Sequence, residues 1–238
     1  MSIPEQLLTA DELAGYFEIL LDRLAAREID VDAYIIGGAA IAIQLGRNEL
    51  TPDVDGFFQP RAEVLAEAQA MADELGLHPD WVNTHAAGFI AFDPADDSDA
   101  LVTHVGGHRV AVASKRVLLA MKIAAARQKD QSDISRLLLD MNITDPDEVV
   151  ELAYSVFGED SMTLTTGRED VRLEAAQALR RASLYAAKMA GTEPPHPTPL
   201  PRQNANQSRR PQGSIGGHGG EFTAKEHSDP EIQLPPGV

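Results

Sequence analysis

The sequence predicts an α+β fold, α/β-like in its first half: one mixed β-sheet flanked by helices, then a helical C-terminal half. Three observations predict it. Two short apolar runs, 34–36 and 54–58, are separated by a short helical stretch. The run His104-Val105-Gly106-Gly107-His108 suits a hairpin turn between strands 101–105 and 109–113. From Ser114 to about residue 190 the apolar spacing is helical.

Each element has a local reason. Thr9 and Glu12 form a capping box, so a helix opens there and runs to about Arg27. Its apolar face holds Leu13, Phe17, Leu20, Leu21 and Leu24. Residues 34–36 read as a buried strand, 39–45 as a short helix and 54–58 as the next strand. The alanine-rich stretch 61–75 is a helix with Val64, Leu65, Ala68, Met71 and Leu75 inward. A further strand is expected over 88–92. Ser114 caps the helix SKRVLLAMKIAAAR, and SDISRLLLD is a second. Thr144 and Asp147 frame the next start, with Pro146 in its first turn. The last helix spans about 169–189.

These elements divide the chain into an α/β core over 1–113, a helical region over 114–190 packed on it, and a tail over 191–238. The tail holds nine of the fifteen prolines and a GSIGGHGG cluster, with only isolated apolar residues. It is expected to be disordered, because it cannot bury enough surface to offset the cost of ordering.

Bulk composition narrows the function. The 238 residues carry a net charge of −17, which argues against a broad surface for duplex DNA. There is no cysteine, so disulfides and thiolate metal sites are excluded. No apolar run reaches about 18 residues, so no membrane span is expected. The N-terminus lacks the pattern of a secretory signal, and the cytoplasm is the expected location.

The chemistry-bearing stretch is AYIIGGAAIAIQLGRNELTPDVDGFF. Asp53 and Asp55 are two apart, so in a strand both carboxylates project to one side while Val54 faces the core. Two such carboxylates repel when ionised, and a divalent cation removes the cost. Magnesium suits them, since it takes oxygen ligands and keeps waters for a substrate phosphate. The alternative is a plain turn, since TPDVDG is rich in turn formers. Gly37 and Gly38 sit between a strand and a helix start, a place suited to phosphates or simply to a tight turn.

Lys115, Lys122 and Lys129 recur every seven residues, with Arg116 and Arg127 nearby. This basic face either attracts phosphates or is a solvated helix surface. Trp81 reads as a core anchor, with base stacking as the alternative. His85, His104 and His108 lack helical metal-ligand spacing. DPADDSD (93–99) lacks calcium-loop spacing and reads as an exposed acidic loop.

Taken together, these motifs resemble the nucleotidyltransferase superfamily, whose members carry a Gly-Gly or Gly-Ser turn, a helix and an Asp-x-Asp pair. A narrower likeness is to an uncharacterised bacterial family related to the abortive-infection, toxin-type nucleotidyltransferases. It rests on Ile36-Gly37-Gly38-Ala39-Ala40, Thr51-Pro52-Asp53-Val54-Asp55-Gly56-Phe57-Phe58, Trp81-Val82-Asn83, Ala87-Gly88-Phe89, the stretch 118–130 and Asp133-Ile134, in that order. It covers about residues 33–155.

The resemblance implies a nucleotidyltransferase-type sheet and transfer of a nucleotidyl group from a nucleoside triphosphate, with Mg2+, to an RNA end, a protein hydroxyl or a small molecule. It implies that Asp53 and Asp55 hold the metal and that Gly37 and Gly38 line the phosphates. Lys122 would contact those phosphates, and Asp133 would orient the site. A third carboxylate usually stands on a neighbouring strand as base. Asp93 is the candidate, because the strand 101–105 has no acid. The arginine usually close before the first aspartate is displaced to Arg47. These departures support a competing reading: an inactive nucleotidyltransferase-like binding module, or an antitoxin or toxin partner.

Overall fold

The computed structural model describes residues 7–48, 50–89, 92–164 and 167–191. The expected tail, apart from Gly191, lies outside them, as do Ile90 and Ala91 of the expected strand over 88–92.

The capping box forms. The Thr9 hydroxyl accepts from the Glu12 N–H at 3.3 Å, and the Glu12 carboxylate accepts from the Thr9 N–H at 2.9 Å. That fixes the start of α1 (Ala10–Ala25), whose five predicted apolar residues are all buried. Ahead of it, β1 (Leu8–Thr9) pairs antiparallel with β3 (Leu50–Thr51).

The main sheet has five strands in the order β5-β4-β2-β7-β6. They are β2 (Asp32–Ile36), β4 (Val54–Gln59), β5 (Val82–Asn83), β6 (Leu101–Val105) and β7 (His108–Val112). β2 runs antiparallel to β4 and parallel to β7, and β4 runs parallel to β5. The sheet is therefore mixed, as the sequence predicts. Between its strands lie α2 (Gly37–Gln44) and α3 (Arg61–Leu75).

One face of the sheet is covered by α1 and α3. Phe17 of α1 lies 6.2 Å from Phe58 of β4, ring to ring. Trp81 is fully buried and donates its indole N–H to the Ala68 carbonyl of α3 at 2.9 Å, which makes it the expected core anchor. On α3 the inward set shifts by part of a turn. Ala72 is buried, while Leu65 is half-buried and Leu75 is 42% exposed.

The second half is helical: α4 (Lys115–Ala125), α5 (Gln131–Asp140), α6 (Pro146–Phe157) and α7 (Arg168–Met189). Ser114 caps α4 through its hydroxyl, as expected. α6 is capped by Asp145 rather than Thr144, because the Asp145 carboxylate accepts from the Asp147 N–H at 2.9 Å. α4 and α5 are joined by two ion-pair rungs, Lys115 to Asp140 and Lys122 to Asp133. Among the described residues no helix is long and apolar enough to cross a membrane.

Candidate functional site

The strand directions bring one set of residues to one end of the sheet. β2 and β7 both finish there. β4, antiparallel to β2, begins there, so Ile36 stands opposite Asp55. β5 adds Asn83 opposite Asp55 on the other side. Gly37, Asp53, Asp55, Asn83 and the start of α4 thus share this end.

Gly37 has φ +72, a left-handed conformation that glycine adopts without strain. A Cβ on Gly37 would stand 3.6 Å from the Asp55 Cβ, so the glycine turn lies directly against that aspartate. A Cβ on Gly38 would meet the Thr51 hydroxyl at 2.7 Å. The tight Gly-Gly passage is therefore shaped by the segment that leads into the aspartates.

Asp55 lies in β4, on the same face as Phe57, Tyr34 and Ile36. Asp53 lies just before the strand rather than inside it. Between them Val54 is buried, and its N–H donates to the Trp81 carbonyl at 2.7 Å. Each carboxylate has a dedicated donor. Asn83 gives its side-chain N–H to Asp53 at 2.7 Å, and the Ala86 N–H reaches Asp55 at 3.0 Å. The Asp55 carboxyl is pushed up to about 6, chiefly by burial and also by the nearby Asp53. The Ala86 hydrogen bond and the His85 imidazole oppose this rise.

The Ala86 contact also explains a departure. Residues 86–89 form a 3-10 turn rather than the start of the expected strand, with Asp55 accepting the N–H of the turn's first residue. The acidic stretch 93–99 departs too. Asp97 is buried, not exposed: it accepts from the Tyr34 hydroxyl at 2.6 Å and the Ser114 N–H at 2.8 Å. Burial, with Asp97 beside it, pushes the Tyr34 phenol up.

Asp93, the candidate third acid, is exposed and accepts from the Ala95 N–H at 2.9 Å, capping a second 3-10 turn (Pro94–Asp96). On the sheet, the residues beside Asp55 are Ile36 and Asn83, and the β7 residue beside Tyr34 is Ala111. No carboxylate occupies those neighbouring-strand positions.

Lys122 and Asp133 are brought together, but with each other. The Lys122 ammonium binds Asp130 at 2.5 Å and Asp133 at 2.9 Å, with its side chain 11% exposed. Asp130 is buried, which raises its pKa, yet Lys122 and then Arg127 more than offset this and hold it below the usual range. Arg47 neighbours the Tyr185 hydroxyl of α7, to which Arg136 of α5 also donates at 3.4 Å.

Asn83 and the Ala86 N–H had no role assigned from sequence. Asn83 carried a signal, its place in Trp81-Val82-Asn83, but its partner became visible only with the β4–β5 register. Among the described residues no group of three or more His, Asp or Glu is placed to hold a metal ion.

The chain is similar in fold to an antigenic nucleotidyltransferase-like protein from Paracoccidioides brasiliensis. The identity is 16% and the TM-score 0.45, over 74% of this chain and 95% of that one. No family model and no curated protein matches the sequence. A likeness of this degree is one of chain path, and the chemistry rests on the residues themselves.

Proposed function

We propose that the Asp53–Asp55 end of the sheet is a magnesium-dependent nucleotidyl-transfer site. The observation that carries this reading is the convergence of two aspartates, each held by its own donor, against the Gly37 turn. The donor set fits a hard cation. It consists of carboxylate oxygens, and Asp55 is held up by burial and by a second carboxylate, both of which a dication would relieve. Asp53 and Asp55 would hold it, with the remaining positions left to water and phosphate. When bound, magnesium supplies charge neutralisation on the phosphate oxygens during displacement at the α-phosphorus.

The chain's own residues do the rest. Asn83 and the Ala86 N–H fix the two carboxylates, so the pair is oriented before a ligand arrives. The Gly37 turn, which lies against Asp55, would carry the triphosphate past the aspartate pair in this reading. Lys122 and Asp133 serve the α4–α5 seam in this reading rather than the phosphates.

A second reading, nucleotide binding without transfer, is favoured by Ile36 and Asn83 standing where a third acid is usual. One experiment separates the two. The protein is incubated with each labelled ribonucleoside triphosphate, magnesium, and RNA, protein or small-molecule acceptors, beside Asp53→Ala. Transfer is expected from the wild type and lost, by 100-fold or more (an order-of-magnitude expectation), in the variant. Label transfer unchanged by the substitution would sink the assignment. Magnesium-dependent triphosphate binding without label transfer would select the binding module.

A further inference from the structure

Resting on the magnesium reading above, we infer that Asn83 is the residue that limits the aspartate pair to a single divalent cation. Asn83 lies in β5, directly beside Asp55 in the β4–β5 register, and is buried. A carboxylate at this position would join Asp53 and Asp55 as a third acid. The amide there is neutral, and each of its polar atoms is engaged. Its nitrogen donates to the Asp53 carboxylate at 2.7 Å and to the Asp80 carbonyl at 3.1 Å, and its oxygen accepts from the His85 backbone N–H at 3.0 Å. Those partners also settle which way the amide points. Reversed, its oxygen would face two acceptors and its nitrogen a donor.

Asn83 therefore presents an N–H to Asp53, and an N–H cannot ligate a cation. Magnesium takes oxygen ligands, and the oxygen of this amide is occupied by the His85 backbone. No other acid makes up the difference. Asp93 caps a turn of its own, and Asp97 is held by Tyr34 and Ser114. Among the described residues no third His, Asp or Glu joins the pair to hold a metal ion.

Charge points the same way. Two carboxylates balance one dication. Two dications about 4 Å apart, the spacing of two-metal transfer sites, repel four times as strongly as two unit charges at that distance. The pair has no third carboxylate to offset this. Asn83 instead sets the partial positive charge of an N–H against Asp53, which orients the carboxylate without adding a charge. With one seat for a cation, the acceptor hydroxyl has no metal of its own at this end of the sheet.

The test counts bound metal, with manganese(II) as the probe in place of magnesium, on the full chain of the wild type, Asn83→Asp and Asp53→Ala. Equilibrium dialysis, with and without each ribonucleoside triphosphate, gives ions per chain. Electron paramagnetic resonance shows whether two bound ions are spin-coupled, as ions about 4 Å apart are. Expected is one uncoupled ion per wild-type chain, two coupled ions in Asn83→Asp, and loss of the ion in Asp53→Ala. Two coupled ions in the wild type overturn the inference and leave the magnesium reading standing. So does a single ion in Asn83→Asp whose circular dichroism and melting show it folded. If Asn83→Asp does not fold, the wild-type count and spectrum decide alone. No bound manganese in the wild type under any condition, or one ion that survives Asp53→Ala unchanged, overturns the magnesium reading, and this inference with it.

Discussion

Two regions use the same residue types to opposite ends. In the α4–α5 seam, Lys122 and Arg127 surround the buried Asp130 and hold it below the usual carboxylate range. At the end of the sheet, Asp55 sits beside a second carboxylate, and its carboxyl is pushed up to about 6. The seam resolves its charge within the fold. The sheet end holds like charges together with neutral donors, an arrangement that gains from an added cation. The two carboxylates are thus perturbed in opposite directions: Asp130 is lowered by cations of the fold itself, and Asp55 is raised by burial and a like charge.

The largest expected effect breaks the seam. Lys122→Met leaves Asp130 and Asp133 without their ammonium. Losing one partner of a buried pair costs roughly 3–5 kcal/mol, and the lower end applies because Arg127 still contacts Asp130. Urea unfolding measures it. If Lys122→Met unfolds near the wild-type midpoint but loses triphosphate affinity, Lys122 belongs to the phosphate site and the contrast between the regions collapses.

Backbone fit at the sheet end comes next. A Cβ on Gly56 would stand 2.6 Å from the Tyr34 carbonyl oxygen, a backbone atom across the β2–β4 ladder. Gly56→Ala should cost about 1–3 kcal/mol and disturb the neighbouring Asp55. Gly38→Ala meets the Thr51 hydroxyl at 2.7 Å, a side chain that can turn away, so its cost should be smaller. A larger loss for Gly38→Ala than for Gly56→Ala would show that the Gly-Gly turn, not the ladder, is the rigid part.

How far the sequence reached follows the same division. Local signals survived well: the Thr9–Glu12 box, the Ser114 cap, the hairpin at Gly106-Gly107 and the buried stripe of α1 each depend on neighbours in the chain. The Asp-x-Asp pair and the Gly-Gly turn were legible as motifs, and the structure brings Gly37 against Asp55. What was not legible depends on register and burial. Asn83 shows its purpose only when β5 lies beside β4. Asp97 looks like its acidic neighbours until Tyr34 and Ser114 close over it. The heptad spacing of Lys115, Lys122 and Lys129 suggests one basic face, but it cannot show that α5 returns with Asp133 and Asp140 opposite two of them.

A third prediction uses the opposite signs of the two carboxylates. Asp55 is raised from 3.8 to about 6 in the folded protein, so between those pH values the folded state binds more protons than the unfolded state. Its contribution is present at low pH and is lost as pH rises through about 6. Asp130 is lowered, so its contribution is present above the ordinary 3.8 and lost as pH falls below it. Asp55→Asn keeps an acceptor for the Ala86 N–H and removes the charge. After allowance for solvent screening, it should stabilise the protein by ~1 kcal/mol at pH 7 and by less at pH 4. Thermal melts from pH 4 to 8 give the difference curve. A gain that is largest at pH 4 would reverse the sign and remove the electrostatic account of the site.

The smallest expected effect separates two lysines that look alike in sequence. Lys115 and Lys122 are seven residues apart on α4, and each faces an aspartate of α5. Their surroundings differ. The Lys115–Asp140 pair has side chains 33% and 39% exposed, whereas Lys122 is 11% exposed and Asp130 3%. Water can replace either partner of the outer pair, and salt screens it, so exposed pairs contribute roughly 0.2–1 kcal/mol. Lys115→Met should therefore shift the urea midpoint slightly, and 0.5 M salt should erase about half or more of that shift. Lys122→Met should be nearly indifferent to salt, because its loss is the desolvation of a buried carboxylate rather than a screened attraction. On the proposed reading neither substitution should alter triphosphate affinity beyond about twofold, because each ammonium is already paired with aspartates of the seam. An equal effect at the two positions would mean that the seam is not closed to solvent. The contrast between a resolved interior charge and a perturbed site charge would then have to be redrawn around α4 as a whole.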